Sequence, residues 1–337
     1  MNEPPKKKKK KFNIFDYYNF SRKDALKDDL GDVLEHPNLK TFFKLFGRKF
    51  YQLISVNLYL IFGNFPLFFI LFAMSNYTSL ISTAPISQMF PTVYGVSKFI
   101  SSPLIEALKG VFGIEAQIAV PTTLTYVMYG LSLLVIFTFG IVNVGVTYLL
   151  RNMVKGEPIF LWTDFWYIVK RNLRQAMVYG VIDLAFLGLL VWNLYFYLSN
   201  FGMGTQYQIF FFMILFMTVL YLIMRNYTYT LLLTFKYNIR QILKNALIFT
   251  FLGVKRNLLY GLLVVLTVVL NYVIFSFFPP LGLILPFVIT PVICMFIGIY
   301  GSFPVIHEYL IKPLEDEQDG EAVEDEPADP EDIPEES

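Results

Sequence analysis

Between residues 51 and 301 six long apolar stretches follow one another almost without charge, and every second connection between them is rich in Lys and Arg. A helix needs about 20 apolar residues to cross a hydrocarbon layer about 30 Å thick, and each of these stretches reaches that length. They are residues 51–74, 122–150, 176–198, 208–230, 258–278 and 281–301. The chain is 55% hydrophobic and 16% charged, whereas soluble domains carry about 25% charged residues, so an ordinary water-soluble fold is excluded. The expected class is all-α: a polytopic transmembrane helical bundle of six spans, with the lipid bilayer as its solvent.

Charge sets the orientation. The connection at 151–174 carries Arg151, Lys155, Lys170, Arg171 and Arg174, and that at 236–256 carries Lys236, Arg240, Lys244, Lys255 and Arg256. The alternate connections carry only Lys98 and Lys109. Positive charge marks the cytoplasmic side, so both termini are expected in the cytoplasm. The first apolar run begins only near Tyr51, too late for the core of a cleaved signal, and is read as a retained anchor. Three regions follow: a basic cytoplasmic segment 1–39, a six-span membrane domain 40–312 with an external loop at 75–121, and an acidic, disordered cytoplasmic tail 313–337. Residues 1–49 hold 13 of the 27 Lys and Arg, and residues 315–337 hold 13 of the 26 Asp and Glu. The run Lys6 to Lys11 beside a membrane is expected to meet anionic lipid and not nucleic acid.

Three cytoplasmic entrances look alike: FFKLFGRKFYQL at 42–53, FWYIVKRNLRQA at 165–176 and FTFLGVKRNLLYG at 249–261. The word VKRNL occurs at both 169–173 and 254–258. Two readings stay open, three related units or the common chemistry of interfacial helices. Either way an amphipathic interfacial helix is expected before spans 1, 3 and 5. In the first, Phe42, Phe43, Phe46 and Phe50 share one face and Lys40, Lys44 and Arg48 the other, placing the aromatic rings in the headgroup layer. In the external loop Ser102 as cap, Pro103 at the first turn and Gly110 as stop predict one further helix. The pair Pro279 and Pro280 predicts a tight turn or a broken hairpin between spans five and six.

Asp183 and Arg225 are the only charges inside the six stretches. Both fall about 7 to 10 Å from the cytoplasmic ends of consecutive antiparallel spans, at similar depth. An unpaired charge there costs about 2 to 3 kcal/mol, which favours a mutual ion pair; a substrate or proton site is the alternative. Asn57, Asn64, Asn143, Asn193, Asn226 and Asn271 add polar amides suited to interhelical hydrogen bonds. Pro66, Pro286 and Pro291 interrupt apolar runs, and each releases a backbone carbonyl.

Chemistry beyond this is sparse. The chain has one cysteine, Cys294, and two histidines, His36 and His307, and it lacks a P-loop, a nucleophile elbow and an HExxH pattern. It is therefore expected not to be an enzyme and to carry no metal or cofactor.

The segment YLLRNMVKGEPIFLWTDFWYIVKRNLRQA at 148–176 resembles the YesL family of bacterial membrane proteins, a family classed as a domain of unknown function. TFKYNIRQILKNALIFTFLGVKRNLLYG at 234–261 and FGRKFYQLISVNLYL at 46–60 are similar to its other recurring stretches. The likeness covers roughly residues 40–312 and leaves out the lysine run, the external loop and the acidic tail. Members are often encoded beside carbohydrate importers of the ABC type. The resemblance thus implies the bacterial cytoplasmic membrane and an accessory role beside ABC-importer permease subunits. Contacts are expected from the spans and from Lys170, Arg171, Lys255 and Arg256. A self-sufficient small-solute transporter or channel using Asp183 and Arg225, or a membrane scaffold or assembly factor recruiting partners through its tails, would fit the same sequence.

Overall fold

A computed structural model of the chain describes residues 37–100 and 102–313, almost entirely as helices. The lysine run, His36 and the acidic tail lie outside the described residues. Five helical stretches are long and apolar enough to cross a membrane: Thr123–Val154, Leu161–Ser199, Thr205–Thr234, Val254–Phe277 and Thr290–Ile311. A sixth is counted if α1 (Leu39–Gly63) and α2 (Pro66–Met74), interrupted at residues 64–65, form one span. Contacts separate the chain into two compact units, residues 64–136 and the remainder.

Residues 64–136 contain more structure than the single helix expected in the external loop. Strands β1 (Ser79–Pro85) and β2 (Glu115–Pro121) pair antiparallel, with Ser79 opposite Pro121 and Ser82 opposite Ile118. Between them lie α3 (Phe90–Ser97) and α4 (Pro103–Phe112). Ser102 caps α4 as expected, its Oγ accepting from the Ile105 N–H at 3.3 Å. The helix runs through Gly110 and stops at Gly113, whose N–H donates to the Lys109 carbonyl at 2.7 Å. The ribbon's end is tied by threonines: Thr122 and Thr125 at the start of α5 (Thr123–Ser132) both donate hydroxyls to the Thr78 carbonyl.

In the other unit, α6 (Val135–Val154) and α12 (Thr290–Ile306) are central, buried along much of their length. Around them stand α1, α7 (Leu161–Ser199), α8 (Thr205–Thr234), α9 (Ile239–Leu252) and α10 (Val254–Phe277). One cluster joins Phe42, Leu45, Leu53 and Val56 of α1 to Leu149 and Leu150 of α6, Phe165 of α7 and Phe296 and Tyr300 of α12. The second joins Val144, Tyr179, Tyr227, Tyr229, Ile242 and Val305. Large apolar side chains along α7, α8 and α10 face outward, as expected where lipid is the solvent.

Two of the three expected interfacial helices are not separate elements. α1 continues unbroken from residue 39 to residue 63, and Phe42 is 3% exposed, its ring 5.2 Å from that of Tyr300 and 5.7 Å from that of Phe296. Protein, not headgroups, receives Phe42, because α12 offers aromatic partners, while Phe43 and Phe50 stay exposed. The second entrance is likewise continuous with α7, its Phe165, Ile168 and Val169 buried. Only the third stands alone, as α9. There Gly253 separates it from α10, and a Cβ at that position would stand 2.5 Å from the Tyr227 hydroxyl. Asn257 then spans the break, accepting from Tyr227 at 2.9 Å and donating to the Thr250 carbonyl at 2.9 Å. The two VKRNL words accordingly fall in different settings, within α7 and at the first turn of α10.

The last two spans take one of the two expected forms, a broken hairpin. Pro279 and Pro280 open a short helix, α11 (Pro279–Val288), instead of forming a bare turn, because proline suits the first helical positions. α11 ends before Ile289 and α12 begins at Thr290 with Pro291 in its first turn, so the return leg is a broken helix reaching Ile311 rather than ending at 301. Asn57 closes the break: its Nδ2 donates to the Phe287 carbonyl at 2.8 Å and its Oδ1 accepts from the Val292 N–H at 3.2 Å. Phe287 lies four residues before Pro291, so its carbonyl lacks a helical donor and Asn57 supplies one.

Candidate functional site

Helices α6 and α7 touch at Gly140 and Gly180. A Cβ on Gly140 would stand 2.0 Å from the Ala176 carbonyl oxygen and 2.6 Å from the Gly180 Cα, so only glycine allows this approach. Three residues further along each helix come Asn143 and Asp183, carried by the glycine contact toward the same space.

The third helix brings a cation. Tyr221, Arg225 and Tyr229 recur every four residues on α8 and so share one face, which meets Asp183. Arg225 Nε lies 2.8 Å from Asp183 Oδ2 and 3.0 Å from Oδ1, while its Nη2 donates to Asn143 Oδ1 at 2.9 Å. The Tyr221 hydroxyl donates to Asp183 Oδ1 at 2.8 Å and the Tyr229 hydroxyl to Oδ2 at 2.6 Å. Each carboxylate oxygen thus accepts two hydrogen bonds. Asn143 is held in turn by its Nδ2, which donates to the Phe139 carbonyl at 2.7 Å. The guanidinium also lies against the rings of Tyr229 and Phe139, 5.0 and 5.5 Å from their centroids.

Asp183 is fully buried and the Arg225 side chain 14% exposed. Burial of two charges is unfavourable without added hydrogen bonds, and here the two tyrosines supply them to the carboxylate and the asparagine accepts one from the guanidinium. Tyr179 lies one turn before Asp183, its ring 4.9 Å from that of Tyr229, and its buried hydroxyl sits near the Tyr221 and Thr228 side chains without a well-formed hydrogen bond.

Arg256, grouped with Lys255 as a contact residue on sequence grounds, is bound internally. Its Nε donates to the Gly301 carbonyl at 2.8 Å, Nη2 to that of Tyr300 at 3.1 Å and Nη1 to that of Pro37 at 3.1 Å. Tyr300 precedes Pro304 by four residues, so Arg256 serves a carbonyl that the helix cannot. Lys170, Arg171 and Lys255 are exposed. Arg151, read from the sequence as a loop charge, is buried at the end of α6, donating to Thr234 Oγ1 at 3.0 Å and lying 5.2 Å from the Tyr148 ring centroid.

Of the amides, Asn57, Asn143 and Asn271 reach another helix, whereas Asn193 and Asn226 donate to carbonyls four residues back on their own. Sequence reasoning missed Tyr221 and Tyr229; their four-residue spacing about Arg225 is the signal that marks them.

Residues 119–194 match the model of a family described as "Protein of unknown function, DUF624". That stretch contains Gly140, Asn143, Gly180 and Asp183, but not Arg225. Comparison with curated proteins and with solved structures gave no match.

Proposed function

We propose that this chain is a non-enzymatic, multi-pass protein of the bacterial cytoplasmic membrane that assists a carbohydrate importer of the ABC type by packing its helices against the permease subunits. The observation that carries the reading is the saturation of Asp183: four hydrogen bonds occupy its two oxygens. The intramembrane charges are spent on locking α6, α7 and α8 together, while the apolar faces of α7, α8 and α10 point outward, available to lipid or to other helices. The importer context comes from the family resemblance of residues 148–176.

The test is purification of the tagged protein from its native membrane in gentle detergent, with mass spectrometry of what accompanies it. Permease subunits in stoichiometric amount are the expected result; recovery of the protein alone overturns the reading.

One observation favours a second reading, a self-sufficient small-solute transporter. The Tyr179 hydroxyl is buried beside the Asp183 network, near the Tyr221 and Thr228 side chains but without a well-formed hydrogen bond, and such a group is a place for water or a polar solute. Transport by the reconstituted protein alone, lost in Asp183→Asn, would establish it.

A further inference from the structure

One exposed face of α7 changes character along its length. Trp162, Trp166 and Tyr167 come first, then Lys170, Arg171 and Arg174, then Met177, Val178 and Val181; all but the half-buried Met177 are exposed. At 3.6 residues per turn these positions form a single stripe. The opposite face, with Phe165, Ile168, Val169, Ala176 and Tyr179, is buried in the core. Aromatic and cationic side chains together are the composition of the headgroup layer, and the apolar residues after them belong to hydrocarbon.

An open groove of about 460 Å³ lies at the change, lined by Lys170, Arg171, Leu173, Arg174, Met177 and Val178. Three cations within five residues repel one another, and an anion among them relieves that repulsion. Among the described residues the one polar contact of the three is that of Arg171, whose Nη1 donates to the Tyr167 hydroxyl at 3.5 Å. The other VKRNL word sets a contrast: its arginine, Arg256, is held by three backbone carbonyls, whereas Arg171, at the matching position, faces outward.

We propose that this groove is a binding site for an anionic glycerophospholipid, its phosphate held by Lys170, Arg171 and Arg174 and an acyl chain lying over Leu173, Met177 and Val178. The charge calls for phosphate, and the apolar wall directly beside it calls for a lipid, not a free ion. The site stands independently of the importer reading.

Native mass spectrometry of the full chain, titrated with phosphatidylglycerol or with phosphatidylcholine of the same acyl chains, tests this. Phosphatidylglycerol is expected to bind at least tenfold more tightly. K170Q/R171Q/R174Q should remove that preference, and K236Q/R240Q/K244Q, which neutralises three other exposed cations, should keep it. Equal affinity for the two lipids, retention by the first variant, or equal loss in both variants overturns the proposal. A measurement on the unmodified chain guards against a misfolded variant: brominated phosphatidylglycerol should quench tryptophan fluorescence more than brominated phosphatidylcholine at equal mole fraction, and equal quenching also overturns it.

Discussion

Gly140 and Gly180 meet backbone to backbone: a Cβ at Gly180 would stand 2.3 Å from the Gly140 Cα. Gly180→Ala is therefore expected to force α6 from α7 and lower stability by about 1 to 3 kcal/mol, the usual range for overpacking. Gly188→Ala, on the same helix with open space around it, should be neutral or stabilising by up to about 1 kcal/mol. Thermal unfolding in detergent micelles, comparing the two midpoints, checks both.

Asp183 and Arg225 should be coupled. Asp183→Asn leaves a buried guanidinium without its counterion, at a cost of about 3 to 5 kcal/mol. The double variant Asp183→Asn, Arg225→Gln should cost less than the sum of its singles by at least about 1 kcal/mol. Additive losses in a double-mutant cycle would dismiss the lock.

Two tyrosines one ring contact apart should differ in what they contribute. Tyr229→Phe deletes the 2.6 Å bond to Asp183 and is expected to cost about 1.5 to 3 kcal/mol, as for hydrogen bonds to charged groups. Tyr179→Phe removes a hydroxyl that makes no well-formed hydrogen bond and should cost less than Tyr229→Phe. Equilibrium unfolding of the two variants side by side gives the comparison.

Arg256 serves a carbonyl orphaned by Pro304, so the two side chains should compensate. Arg256→Gln is expected to be destabilising, and less so by about 1 kcal/mol in a Pro304→Ala background, where a restored N–H reaches the Tyr300 carbonyl. An unchanged cost in that background would show that the arginine acts elsewhere.

The ribbon register is open to direct chemical test. Ser82 and Ile118 face each other across β1 and β2, and directly opposed residues lie within disulfide reach. In a Cys294→Ala background, Ser82→Cys with Ile118→Cys should crosslink, and Ser82→Cys with Val120→Cys should crosslink poorly. If the unit is extracytoplasmic, the first bond forms in cells without added oxidant, as a gel-shift assay would reveal.

The long apolar helices were legible because a run of about 20 uncharged residues has few other fates. Asp183 and Arg225 stood out for the same reason, a charge being conspicuous against that background. What stayed hidden depends on neighbours distant in sequence. Phe42 reads as a headgroup residue until Phe296 and Tyr300 are known to lie beside it. Gly140 and Gly180 look like any helical glycines, since close approach leaves no local mark. The β1 and β2 segments are short, with exposed apolar residues on both, so alternation does not announce them. VKRNL decides little by itself, because one five-residue word fits both a helix interior and a helix start.

The clasp at Asn57 has a temporal side. Its two partners, Phe287 and Val292, leave the ribosome some 230 residues after it does. Through most of synthesis α1 resides without the groups that satisfy its amide, and Phe42 without the rings that cover it. The earliest of these helices is thus completed by the latest, and truncation anywhere before residue 292 would leave an unfinished seam in the opening segment that membrane quality control can recognise.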